Sequence, residues 1–177
     1  MIKIATAECF THGIIGKELH AAARGYPLEF NPGLEDPEGI SVVCSMFIPT
    51  FQALRDVLKV DSAPVPFETF DGIKVYREEE DKKVAALMAE AVRKLSKADV
   101  GIGTTAGIGR GAVAISYKNF TVVTTSDISC DFRCASPSQI ISRQNSGVWK
   151  AFKLLKKVLE ERLNEIQKDE NVEIIYK

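Results

Sequence analysis

A surplus of either charge is missing from this 177-residue chain: 23 Lys and Arg stand against 24 Asp and Glu, a formal net charge of -1. A general nucleic-acid binder carries a basic excess to neutralise phosphates, so that class is excluded. No apolar run approaches the roughly 20 residues needed to cross a bilayer. The opening Met1-Ile2-Lys3-Ile4-Ala5 has no basic stretch followed by an apolar core, so it does not read as a secretion signal. The expected location is the cytoplasm, with no membrane partner. Histidine is scarce: His12 and His20 are the two present, both far upstream of the Cys130/Cys134 pair. Structural zinc sites usually need a second such pair, so no metal is expected. In a chain of this length without a secretion signal, Cys9, Cys44, Cys130 and Cys134 are expected to be free thiols rather than a disulfide framework. Internal repeats and low-complexity tails are absent as well.

What is present is ordinary globular material, 45% hydrophobic and 27% charged, enough for one domain with its own core. Ile2–Ala7 is a short apolar strand that ends at the polar turn Glu8–Gly13. A helical pattern follows over Ile14–Arg24 and is stopped by Gly25 and Pro27. Tyr26–Glu38 is a loop, Ile40–Phe47 a second buried strand with Cys44 as a core residue, and Pro49-Thr50 opens a helix to about Leu58. Phe67–Tyr76 alternates around Asp71-Gly72, a hairpin signal. From Glu78 a helix is expected to bury Val84, Leu87, Met88, Ala91, Val92 and Leu95, with acidic residues crowding its first turn near the positive pole of the helix. A strand over Ala98–Ile102 leads into the glycine-rich loop Gly103–Gly111. A second hairpin, Ala112–Ser116 with Phe120–Thr124, turns at Lys118-Asn119, and the polar loop Thr125–Pro137 follows. The remainder is largely helical, with Val148, Phe152, Leu155, Leu159, Leu163 and Ile166 on one face, before a last strand over Val172–Tyr176.

Strands separated by helices predict a single-domain α/β layered sandwich over residues 1–177, and the two hairpins predict that its central sheet, flanked by helices, is mixed. Ligands in such sheets sit beyond the carboxyl ends of the strands. Two loops leave strands there, Glu8–Gly13 and Gly103–Gly111, and together they are the candidate site. Cys9, at a strand end just before a helix, lies near the positive pole that favours a thiolate; a lone cysteine also serves as a small apolar filler. The glycine run lacks the lysine followed by Ser or Thr of a phosphate-binding P-loop, and a strand-like segment follows it where a dinucleotide fingerprint opens a helix. The glycines suit either a flexible connection or a ligand contact. The second reading is adopted because Gly103, Gly107 and Gly109 let backbone N–H groups approach an anion, with Thr104, Thr105 and Arg110 as further donors. Glu8, Thr11, His12 and Gly13 complete the expected binding residues around Cys9. His20 and Trp149 are expected to be structural.

Thr6-Ala7-Glu8-Cys9-Phe10-Thr11-His12-Gly13 resembles the T-A-E-S-C-T-G-G opening of the nicotinamide-mononucleotide deamidase family, the C-terminal domain of competence-damage proteins. The likeness continues in Ala89-Glu90-Ala91-Val92-Arg93 and in Ala98-Asp99-Val100-Gly101-Ile102-Gly103. In that family the serine after the glutamate is the nucleophile, and Cys9 takes its place here. The family's catalytic lysine, in an N-E-A-K pattern, matches Leu54 in Phe51-Gln52-Ala53-Leu54. A serine–lysine pair is thus replaced by a cysteine without the lysine, which speaks against amide hydrolysis. A thiol needs less help to act as a nucleophile, and its acyl product is an activated thioester.

The whole chain more closely resembles the HcgF-like family of methanogens, which acts in making the iron-guanylylpyridinol cofactor of the mono-iron hydrogenase. The resemblance implies guanylylpyridinol as substrate or precursor, with no cofactor bound permanently. It also implies a thioester between Cys9 and the pyridinol carboxyl group, and a partner resembling ubiquitin-activating enzymes that first adenylates that carboxylate. Self-association is kept among the partners, the oligomeric state being open. The alternative is a cysteine-dependent amidohydrolase acting on a nucleotide; a nucleotide sensor would make Cys9 incidental.

Overall fold

In a computed structural model that describes residues 1–169 and 171–177, the chain alternates strands and helices from its first turn. The elements are β1 (Ile2–Glu8), α1 (Ile14–Arg24), β2 (Ile40–Phe47), α2 (Phe51–Asp56), β3 (Glu68–Phe70), β4 (Ile73–Val75) and α3 (Glu78–Ser96). They continue with β5 (Val100–Thr105), β6 (Ile108–Gly109), β7 (Ala112–Tyr117), β8 (Phe120–Thr125), β9 (Cys130–Asp131), α4 (Pro137–Leu159), α5 (Leu163–Gln167) and β10 (Glu173–Tyr176). Six strands form the main sheet in the order β10-β8-β7-β5-β1-β2. β2, β1 and β5 run parallel and the rest antiparallel. The sheet is mixed, and helices cover both faces of a single α/β domain. No helix among the described residues is long and apolar enough to cross a membrane.

One core layer joins Ile4, Ile102 and Ile115 of the sheet to Ile15 and Leu19 of α1 and to Val148, Phe152 and Leu155 of α4. The opposite layer joins Ala5 and Ala7 to Leu54 of α2 and to Val84, Met88 and Val92 of α3. Local signals set the helix ends. α1 stops where Gly25 turns left-handed at φ 68° and Tyr26 N–H reaches back to the Ala21 carbonyl at 2.9 Å. α4 opens with a capping box, in which Gln139 N–H donates to Ser136 Oγ at 3.3 Å and Ser136 N–H donates to Gln139 Oε1 at 2.9 Å.

Four expectations are corrected. β2 is an edge strand rather than a buried one: Val43 and Phe47 are 43% and 54% exposed, and Cys44 is half-buried instead of sealed in the core. The hairpin around Asp71-Gly72 forms, both residues having positive φ, but as a separate two-stranded sheet. The C-terminal helix is interrupted between Leu159 and Leu163, with Glu161 at φ 55°, yet Leu159, Leu163 and Ile166 all pack on the same core.

α3 is rotated from its expected face, and this fourth correction explains the glycines. Ala85 and Ala89 turn inward and are wholly buried, while Leu95 is half exposed. A Cβ on Gly101 would stand 2.0 Å from the Ala89 carbonyl oxygen, and one on Gly103 would stand 2.2 Å from that of Ala85. The helix backbone therefore lies directly on β5, which small residues on both elements permit. The strand also runs on to Thr105, past the expected end at Ile102, so the first three residues of the supposed loop are sheet. Gly103→Ala should cost about 1–3 kcal/mol by forcing α3 away from β5. Urea denaturation measures it, and an unchanged midpoint would contradict the packing account.

Candidate active site

At the carboxyl edge of the parallel strands, β1 ends in a carboxylate that is 0% exposed, Glu8. Thr11 Oγ1–H donates to Glu8 Oε2 at 2.7 Å, Ile15 N–H donates to the same oxygen at 3.1 Å, and Gly16 N–H donates to Oε1 at 2.8 Å. The carboxylate thus serves the orphan N–H groups of the first turn of α1, where the positive end of the helix stabilises it. Burial raises the Glu8 pKa, and the Thr11 and Gly16 hydrogen bonds oppose that rise. Glu8, expected to contact ligand, has both oxygens engaged by the protein, and they hold the turn.

The turn itself is tight. His12 and Gly13 take positive φ in succession, at 52° and 82°, and Gly13 has no neighbour where a Cβ would stand. Gly13 is therefore needed for its conformation. Cys9 N–H donates to the Thr104 carbonyl at 3.0 Å and lies 3.2 Å from Thr104 Oγ1. The Thr11 and Thr104 hydroxyls are 2.8 Å apart; since the Thr11 proton goes to Glu8, Thr104 is the donor of that pair. The two candidate loops do meet, and a chain of hydrogen bonds runs from Cys9 through Thr104 and Thr11 to Glu8. Cys9 is 5% exposed.

Two residues that sequence reasoning missed close the site from α4. Gln144 Nε2 donates to the Phe10 carbonyl at 3.1 Å and to His12 Nδ1 at 2.8 Å. With Nδ1 accepting, the neutral His12 ring carries its proton on Nε2 and is a donor there. Desolvation lowers the His12 pKa and favours this neutral form. Arg143 is only 2% exposed. Its Nη1 donates to the carbonyls of Gly107, Gly109 and Cys130 at 2.9, 3.0 and 2.8 Å. Its guanidinium carbon lies 5.9 Å from the centre of the Phe10 ring. Burial lowers the Arg143 pKa, while Cys130, Asp81, Cys9 and Asp131 hold it up. Arginine keeps its proton in either case.

The remaining predicted residues are placed around this centre. Thr105 is buried at the end of β5 beside Asp81. A Cβ on Gly107 would come within 2.3 Å of the Tyr76 carbonyl oxygen, and one on Gly109 within 2.8 Å of Glu78 Oε2. Packing against backbone accounts for Gly107, and a positive φ of 107° accounts for Gly109. Arg110 is paired: its Nη2 lies 2.6 Å from Glu78 Oε1 and its backbone N–H donates to Glu78 Oε2 at 2.8 Å. Among the other thiols, Cys130 is half-buried in β9 and Cys134 exposed. His20 and Trp149 are both exposed in part, each edge-on to an aromatic ring, Tyr26 and Phe30.

Asp81, the fourth residue of α3, was also missed. Gly107 N–H donates to its Oδ2 at 2.8 Å, and its Oδ1 is buried without a partner among the described residues. Gly107 thus bridges Asp81 to Arg143. The signal was in the pattern: Asp81 continues the buried Val84–Met88–Val92 stripe, and Gln144 continues Val148–Phe152–Leu155. A polar residue at the end of an apolar stripe marks the place where a core opens into a site.

Comparison with known proteins matches residues 1–159 to the family described as FeGP cofactor biosynthesis protein HcgF. The chain is 46% identical over 160 residues to a UPF0254 protein of Methanothermobacter thermautotrophicus, covering 90% of this chain and all of that one. A UPF0254 protein of Methanopyrus kandleri is 42% identical over 177 residues, covering 98% of this chain and 96% of the relative. One from Methanocaldococcus jannaschii is 36% identical over 165 residues, covering 90% and 97%.

Burial lifts the Asp81 pKa to about 7, against the opposing Gly107 and Thr105 hydrogen bonds and the charges of Arg143 and Lys74. A carboxyl raised in the folded state stabilises the protein below its unfolded pKa, and that stability is lost as pH rises through the folded value. The wild type should therefore lose ~2–3 kcal/mol relative to Asp81→Asn between pH 5 and pH 8. Parallel urea titrations at both pH values read the difference; a gap that does not change with pH would remove Asp81 from the account.

Proposed function

The chain belongs to the HcgF family of FeGP cofactor biosynthesis proteins, and from that premise we propose that Cys9 is the acyl acceptor for the carboxyl group of guanylylpyridinol. A bare carboxylate is a poor acyl donor, so the reaction requires prior activation, and an adenylating partner supplies it from ATP. Cys9 Sγ then attacks the acyl carbon of the adenylate. The C–S bond forms, the C–O bond to phosphate breaks, AMP leaves with the electron pair, and the thiol proton passes to solvent. The thioester preserves the activation for a later step that collects the acyl group. Guanylylpyridinol is a substrate in this scheme.

The observation that carries the reading is a thiol, held by its own N–H on Thr104, in the turn beyond β1 where a strand end meets a helix start. The deamidase lysine is missing from that surrounding. Leu54, at the matching position, is wholly buried in the apolar layer with Val84 and Met88. Amide hydrolysis needs a base to activate the nucleophile and an acid to protonate the leaving nitrogen. An acyl adenylate carries a good leaving group already. His12 Nε2–H and the backbone around Gly13 are suited to donate to an anionic part of the ligand. Arg110 reaches it only by leaving Glu78.

One observation favours the hydrolase reading: Lys74 is buried, and its Nζ donates to the Ile48 carbonyl, while Ile48 N–H donates to the Glu8 carbonyl at 2.7 Å. A buried amine thus lies on the strand-end scaffold of Cys9.

Mass spectrometry of the protein incubated with guanylylpyridinol, ATP and the adenylating partner should give a hydroxylamine-sensitive adduct that Cys9→Ser abolishes. An ammonia-release assay on nicotinamide mononucleotide, run beside it, should find no useful turnover. Ammonia release that depends on Cys9 and is lost in Lys74→Met would promote the hydrolase. Adduct surviving in Cys9→Ser would remove Cys9 from the mechanism.

A further inference from the structure

Arg143 is built into the fold with more hydrogen-bonding capacity than the fold uses. Guanidinium presents five N–H donors in a planar fork. Here Nη1 alone binds the protein, to the carbonyls of Gly107, Gly109 and Cys130. Nε and Nη2 donate to no acceptor among the described residues, and although the residue is only 2% exposed, neither atom is among those sealed from solvent without a partner, so this edge stays open to the outside. The acidic neighbours do not take that edge: Asp81 Oδ2 accepts from Gly107 N–H, Asp81 Oδ1 accepts from no group among the described residues, and Asp131 is bonded to Arg133.

The position of the idle edge is fixed from three sides. The Phe10 ring, next to Cys9, lies 5.9 Å from the guanidinium carbon. Gly147, one turn along α4, lets that ring in, since a Cβ there would stand 2.4 Å from two ring carbons. Gln144 fastens the same loop by the Phe10 carbonyl. The Cys130 carbonyl, on the other side, accepts from Nη1 at 2.8 Å.

We propose that Arg143 is an anion subsite beside Cys9, whose Nε and Nη2 receive the carboxylate or acyl oxygen of the donor. This rests on the reading of Cys9 as acyl acceptor and adds the residue that orients the group to be attacked. When Sγ adds to the acyl carbon, the carbonyl π electrons move onto oxygen. A fixed cation at that oxygen stabilises the developing charge, and the charge returns to the carbonyl as the phosphate leaves. A preorganised donor in a dry site is the arrangement that acyl transfer rewards most. The planar fork also selects a planar carboxylate over an amide of the same shape.

The test uses the thiol as its own reporter. Iodoacetate and iodoacetamide alkylate by the same displacement at carbon and differ in the carboxylate that one of them carries. Peptide-resolved mass spectrometry gives the rate of each reagent at Cys9 and at the exposed Cys134 in the same molecule. The iodoacetate-to-iodoacetamide ratio at Cys9 should exceed that at Cys134 by about tenfold or more. The excess should vanish in the urea-unfolded chain and fall in Arg143→Gln, with partial rescue in Arg143→Lys. Equal ratios at the two thiols of the native wild type overturn the proposal, with no variant needed. If native Cys9 resists both reagents, calorimetry on the wild type with benzoate and benzamide decides: benzoate should bind about tenfold tighter or more. Equal affinities, or no benzoate binding, overturn the subsite. The readouts also separate this proposal from the one beneath it. A selective Cys9 that never forms the thioester retains the subsite and loses the acyl acceptor, whereas a thioester formed without selectivity does the opposite.

Discussion

The Glu8 carboxylate is the constraint on which the rest depends. It ends β1, is sealed from water, and takes three donors, the Thr11 hydroxyl and the N–H groups of Ile15 and Gly16. Its own carbonyl accepts from Ile48 N–H at the end of β2. One residue thus joins two parallel strands, the Cys9 turn and the start of α1. Placing a carboxylate there is costly in desolvation, and only a full set of hydrogen bonds with the helix dipole offsets it. The same set leaves the intervening residues little freedom. Cys9 is presented at a fixed point because its neighbour is tied down from both sides.

Around that point the fold supplies two walls of different kinds. On the β5 side, glycines bring α3 and the Tyr76 backbone into direct contact with the sheet, leaving Thr104 free to bind the Cys9 N–H. On the α4 side, Arg143 and Gln144 reach across to the same loop, one with charge and one with an amide. Asp81 joins the walls through Gly107. The proposed acyl acceptor thus sits in a turn held by a rigid strand edge on one side and by a buried cation on the other. Leu54 lies buried in the apolar layer behind β1.

Local chemistry made much of this legible from the residues alone. Period and stop signals gave α1 and β2 at their observed limits, and Asp71-Gly72 and Lys118-Asn119 gave both hairpins. The pairing of loops Glu8–Gly13 and Gly103–Gly111 followed from the rule for strand ends. Non-local packing was harder to read. The phase of α3 depends on Gly101 and Gly103, which lie on another element and so leave no mark in the helix's own pattern. β2 looks central because its apolar residues run on, but an edge strand with Val43 and Phe47 exposed carries the same run. The glycines suggested an open phosphate loop, and most are there for close approach. Arg143 and Asp81 went unseen because each is charged, and a charge on a helix normally faces water. The burial of Asp81 becomes visible only when it is taken as the polar end of an apolar stripe, and Arg143 is the neighbour of Gln144, which ends the other.

The central claim is a covalent one, that an acyl carbon comes to rest on Cys9 sulfur. Guanylylpyridinol labelled with carbon-13 at its carboxyl group, followed by NMR on the protein with ATP and the adenylating partner, tests it at the bond itself. The account predicts a protein-bound carbonyl resonance in the thioester range, abolished by hydroxylamine. A label that stays in the carboxylate range, or moves to the amide range of a lysine adduct, would contradict it.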